Sequence, residues 1–128
     1  MTEEILKITK IVFVLQVIVG LVFGLFFFFG AEIVFDLYSW PYYAPIFIRL
    51  LGLDFIGTTP LFLLSYRETE YGKVKNVVIF AIIHSIINSI GFIVLQFIFE
   101  LPLINWSNIA FYILFSVLYC YIYVQQQK

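Results

Sequence analysis

The chain has 128 residues, of which 63% are hydrophobic and only 12% charged, with a formal net charge of -1. A soluble domain carries about 25% charged side chains, so a water-facing surface around so apolar a chain is excluded. No sustained basic patch is present, which excludes a nucleic-acid interface as well.

Four apolar runs fill the sequence, at 8–29, 45–65, 74–99 and 106–124. At about 1.5 Å of rise per residue, each is long enough for a helix to cross a hydrocarbon core roughly 30 Å thick. Backbone groups in lipid have no water to bond, so the spans are expected to be helices that satisfy themselves. A β-barrel would need short alternating segments, whereas these runs are apolar on every side. The expected fold is all-α: a single-domain polytopic membrane protein with four transmembrane helices in an antiparallel, up-and-down bundle. The first run is too long for the apolar core of a signal peptide and lacks a small-residue cleavage signal after it. It is expected to remain as the first span.

Charge sets the expected orientation. Lys7, Lys10, Arg67, Lys73, Lys75 and Lys128 lie at or beside the N-terminus, the middle link and the tail. The links at 30–44 and 100–105 carry only Glu32, Asp36 and Glu100. The positive-inside rule then puts both termini and the 66–73 link in the cytoplasm of a cell-membrane protein.

In the first span Gln16, Gly20 and Gly24 recur at four-residue spacing on one face. The Gly20–Gly24 pair permits close approach of another helix, either inside the bundle or across a homodimer. The link that follows holds Tyr38, Trp40, Tyr42 and Tyr43 with Pro41 and Pro45. It reads as an interfacial aromatic belt, laid on the outer surface as a short amphipathic element or over an outward-facing pocket.

The second span is the most polar. Arg49 lies about one turn below the outer surface, where its side chain can snorkel to headgroups. Asp54 lies near mid-depth, and an unpaired carboxylate there is costly, so it is expected to be neutral or paired. Thr58 shares its face, and Pro60 is expected to loosen the helix while Thr59 bonds to a freed carbonyl. Arg49 and Asp54 are five apart, a poor spacing for a pair on one face, bridged only by the length of Arg49.

The third span enters from the opposite side and reaches His84 at nearly the same depth, with Asn88 one turn on and Ser85 and Ser89 beside them. A carboxylate beside an imidazole serves both proton transfer and ligand binding. Two readings of Asp54, Thr58, His84 and Asn88 remain open: a polar knot that joins helices, and a functional pocket with His84 and Asp54 as its catalytic candidates. Gln96 needs no special role at the outer end. Asn105-Trp-Ser107 matches a glycosylation pattern, but Asn105 or Ser107 capping the fourth helix is the simpler reading. Tyr112, Ser116, Tyr119 and Tyr123 then form a stripe expected to face the bundle, with Tyr112 and Tyr119 able to offer hydroxyls to a ligand.

One histidine and one cysteine, Cys120, leave no His/Cys metal set and no intrachain disulfide. No cofactor is evident. A haem ligated by His84 alone, or shared between two chains, is chemically open, as is a quinone. Phosphate loops and serine-nucleophile elbows are missing. Three function classes remain: an accessory or hydrophobic-ligand-binding protein, a proton-coupled small-solute transporter acting as a dimer, and an intramembrane enzyme on a lipid-like or quinone-like substrate. Membrane lipids, a homodimer or a larger membrane complex are the expected partners.

The segment Arg49-Leu-Leu-Gly52, opening a helix after an aromatic, proline-bearing link, resembles the DoxX-like small membrane proteins. So does the polar third helix, Ile83-His-Ser-Ile-Ile-Asn-Ser89. The resemblance in layout covers almost the whole chain. It implies a four-helix membrane bundle in a redox-membrane or accessory setting, and it supplies no catalytic residue.

Overall fold

The computed structural model of the protein describes residues 4–39 and 45–128. Among the described residues five helices form: α1 (Lys7–Phe29), α2 (Ala31–Tyr38), α3 (Pro45–Arg67), α4 (Tyr71–Phe99) and α5 (Asn105–Gln127). Four of them, all but α2, are long and apolar enough to cross a membrane. The protein is an all-α membrane helical bundle.

The helices overrun the apolar runs that announce them. α4 begins at Tyr71, ahead of Gly72 and Lys73, and α5 continues to Gln127. Apolarity marks what sits in lipid, whereas a helix continues for as long as its backbone bonds do. α1 stops at Gly30, whose N–H donates to Phe26 O at 2.7 Å, and α2 starts from the same residue, with Val34 N–H donating to Gly30 O. A methyl group at Gly30 would lie 2.9 Å from Phe26 O, so this elbow needs glycine. The amphipathic element expected in this link is α2: Ala31, Val34 and Tyr38 are buried, while Glu32, Ile33 and Leu37 are exposed. The aromatic belt at Trp40, Tyr42 and Tyr43 lies outside the described residues.

Contacts at the two ends establish the alternation of the spans. At one end, the termini end, Ile5 N–H donates to Thr69 O between α3 and α4. There Leu6 N–H also donates to Gln126 Oε1 near the end of α5. At the other, the α2 end, Tyr38 OH donates to Asn108 Oδ1 at the start of α5. Successive long helices therefore run in opposite directions.

Packing divides the bundle into two pairs. α1 lies chiefly along α3, and α4 chiefly along α5, with much sparser contact between the pairs. The α1–α3 seam is built on glycine. A methyl group at Gly24 would come within 2.7 Å of Ile56 Cγ1, and one at Gly20 within 2.7 Å of Thr59 Oγ1. One at Gly52 would lie 2.7 Å from both Gly24 O and Phe28 N. The Gly20–Gly24 motif thus serves a seam inside the chain, where small residues let two backbones touch.

Two apolar cores follow. One, toward the termini end, includes Val12, Phe13, Phe62, Val74, Val78, Phe115, Tyr119 and Ile122. The other gathers Phe27, Ala31, Val34, Tyr38 and Ile48 at the α2 end. Helical serines satisfy themselves locally: Ser65, Ser85, Ser89 and Ser116 each donate to the carbonyl four residues back. That removes the cost of a bare hydroxyl in lipid without help from another helix.

Candidate functional site

Between the helix pairs, near the middle of the bundle, one face of each long helix turns toward a shared cleft. α3 supplies Asp54 and Thr58 with Phe55 and Phe62. α4 supplies Phe80 and His84 with Ala81 and Ser85. α5 supplies Tyr112, Phe115 and Tyr119, and α1 supplies Gln16. Within each helix these positions recur at three-, four- or seven-residue steps, the spacing that keeps side chains on one face. The cavity measures about 40 Å3, taken to the centre of a water-sized sphere. Widened by a water radius of about 1.4 Å on every side, a sphere of that volume is roughly 7 Å across. Asp54 lines the cavity and is exposed near the middle of α3, so the cavity opens toward the side of the bundle.

Asp54 and His84 arrive at the same cavity from different pairs, yet neither bonds the other. Among the described residues the Asp54 side chain makes no ion pair and no hydrogen bond within the chain. The His84 ring stacks on Phe80 at 5.5 Å between centroids and meets Tyr112 edge-on at 6.3 Å. Its nitrogens, too, have no hydrogen-bond partner among the described residues. Thr58 Oγ1 donates to Phe55 O, and Tyr119 OH donates to Gln16 Oε1 at 3.3 Å across the α1–α5 wall. Among the described residues the lining holds no lysine and no arginine.

No protein-family model, curated protein or solved structure matches this chain.

Several of the residues singled out in the sequence lie elsewhere. Arg49 does not reach Asp54. Its Nη2 donates to Glu32 Oε1 at 2.6 Å, joining α3 to α2 at the α2 end. That bond from Arg49 holds the Glu32 carboxyl below its ordinary value of 4.5. Asn88 Nδ2 donates to His84 O within α4, and its side chain is not part of the cavity lining. α3 continues through Pro60, and Thr59 Oγ1 donates to Phe55 O, which is not the carbonyl Pro60 frees. Gly20 and Gly24 are spent on the α1–α3 seam. Gln16 stands apart from them because each four-residue step turns about 40° around a helix, which brings it to Tyr119.

Two polar ties were not anticipated. At the α2 end Tyr38 OH donates to Asn108 Oδ1, Asn108 Nδ2 to Asn105 Oδ1, and Asn105 Nδ2 to Gln96 Oε1. Gln96 Nε2 closes the chain on Leu101 O. Asn105 is fully buried, so it acts as a tie between helices and not as the expected side-chain cap of α5. Gln96 is buried with it. At the termini end the buried Gln126 accepts from both Leu6 N–H at 2.8 Å and Thr9 Oγ1 at 3.0 Å. A residue of α5 thereby caps α1, whose own N-cap residue is leucine. Nothing in sequence spacing flags such a bond, because its partners are more than a hundred residues apart.

Proposed function

We propose that the protein is an accessory or ligand-binding protein of the membrane that seats the polar head of a hydrophobic molecule in the lateral cleft. One observation carries this reading: an unpartnered carboxylate and an unpartnered imidazole share a cavity whose mouth opens sideways. A charged carboxylate near the centre of a bilayer costs about 2.5–3.5 kcal/mol on insertion scales. Such a cost persists where the group has work to do. The small size of the cavity suits a head group whose tail remains in lipid. The distribution of basic residues supports a cell-membrane protein with both termini in the cytoplasm. The DoxX-like layout supports the same accessory setting.

Native mass spectrometry of the protein extracted without delipidation tests this reading. A small molecule is expected to travel with the wild-type chain and to be lost from Asp54→Asn and His84→Ala variants that elute as the wild type does. Wild-type protein carrying no such molecule, with variants indistinguishable from it, overturns the reading.

A second reading has its own support. A cavity that admits water, with two titratable groups free of partners, suits proton-coupled movement of a small solute by a dimer. Acid-driven uptake into vesicles, abolished by Asp54→Asn, would select it.

A further inference from the structure

We propose that the head group bound in the cleft is an organic cation, a tertiary or quaternary ammonium, with Asp54 as its counter-ion. This inference rests on the cleft being a ligand site and adds the class of ligand.

Charge comes first. Among the described residues Asp54 is the only acidic one on the lining, and no basic side chain other than His84 joins it there. Arg49 is committed to Glu32, and Lys73 lies near Glu68 and Glu70 at the termini end. Lys10 lies over the Tyr66 ring, 5.5 Å from its centroid. An anionic guest would meet an uncompensated carboxylate of its own sign. A neutral guest would leave Asp54 either protonated or charged without a counter-charge in an apolar setting, where an unpaired charge is most expensive. A cation resolves both difficulties.

The rest of the lining selects the kind of cation. Six of the twelve lining residues are Phe or Tyr, and they come from α3, α4 and α5. Aromatic faces carry negative charge density, and they bind alkylated ammonium groups, which shed water readily. A bare metal ion needs a shell of oxygens instead. Among the described residues the lining offers a single carboxylate, with hydroxyls and the Gln16 amide as its only other side-chain oxygens. Among the described residues no three His, Cys, Asp or Glu side chains gather into a metal set. A span of roughly 7 Å accepts a trimethylammonium group but not a fused ring system.

The test compares three short probes by equilibrium dialysis against the purified full chain in maltoside micelles. They are hexyltrimethylammonium, the net-neutral N,N-dimethylhexylamine N-oxide, and hexyl sulfate. Saturable binding of the cation is expected, at least tenfold tighter than the amine oxide, with no saturable binding of the sulfate. Asp54→Asn is expected to weaken the cation at least tenfold, Asp54→Glu to retain it, and Phe80→Leu to weaken it severalfold. Circular dichroism and elution volume establish that each variant is folded. Equal binding of cation and amine oxide, or an Asp54→Asn variant that binds the cation as the wild type does, overturns the cation. Both results leave the cleft standing as a ligand site. Displacement of the probe by millimolar sodium or potassium overturns it in favour of a metal ion. Saturable binding of none of the three overturns the inference. The failure of the ligand-site reading is then read separately, from the native mass spectrum.

Discussion

Gly52→Ala adds one methyl group to the α1–α3 seam, and its effect can be worked from the backbone alone. The new carbon would sit 2.7 Å from Gly24 O, 2.7 Å from Phe28 N and 3.1 Å from Phe27 Cβ. Two of these three neighbours are main chain, which cannot rotate away as a side-chain tip can. The helices must part by several tenths of an ångström along the seam. Overpacking of this kind costs about 1–3 kcal/mol. Gly57→Ala is the matched control on the same helix, because nothing lies within 4 Å of its added methyl. There the substitution gains helix propensity, up to about 1 kcal/mol. Gly52→Ala shares that gain, so the two variants are expected to differ by the overpacking alone, about 1–3 kcal/mol, with Gly52→Ala the weaker. SDS titration in mixed micelles, followed by tryptophan fluorescence, measures that gap. The consequence extends to the cleft, since Asp54 lies two residues beyond Gly52 and is carried with α3. If Gly52→Ala proves as stable as Gly57→Ala, the close backbone contact does not hold the seam and the reasoning is refuted.

Gln126→Leu removes the acceptor shared by Leu6 N–H and the buried Thr9 hydroxyl. A stranded donor costs about 1–3 kcal/mol, so a loss of about 2–4 kcal/mol is expected, with faster amide exchange confined first to the start of α1. Unchanged exchange there would count against the tie. Asn105→Leu breaks the chain of bonds between Gln96 and Asn108 and is expected to destabilise by about 2 kcal/mol in the same SDS titration. A neutral result would mean the network adds nothing to stability. The Arg49–Glu32 pair is expected to respond to pH with the sign of a depressed carboxyl. Its contribution is complete above the ordinary value of 4.5 and is lost as pH falls through the lowered one. Carboxyl carbon NMR reads this directly, and Arg49→Gln is expected to return Glu32 toward its ordinary value.

The spans were legible because lipid demands the same thing of every residue in a run. Their ends were less so, since Gly72, Lys73 and the Gln125–Gln127 tail continue helices beyond the apolar stretch. Asp54 and His84 stood out as ionisable residues in apolar runs, and depth alone suggested that they could meet. The Asp54–His84 bond that this suggested does not form among the described residues. Its absence depends on rotation of each helix about its axis, which a lone sequence does not specify. Phe80 and Phe115 could not be told from lipid-facing aromatics by type, yet they line the cavity. Gln96 and Gln126 were similarly opaque. A glutamine near a helix end looks solvated until a partner from another helix covers it.

The ties between the two helix pairs are distributed unevenly. Gln126 with Leu6 and Thr9, Tyr119 with Gln16, and Tyr38 with Asn108 all join α5 to α1 or its extension α2. Among the described residues no side-chain hydrogen bond crosses from α3 to α4, which are joined at the termini end by the short 68–70 turn. The bundle is thus bound like a book, with its spine along α1 and α5 and its open edge along α3 and α4. Asp54 and His84 stand on facing pages at that open edge. A molecule reaching them from the bilayer would enter between α3 and α4, where no side-chain hydrogen bond among the described residues bars the way. The bonds that keep the protein whole lie along the spine and would stay closed.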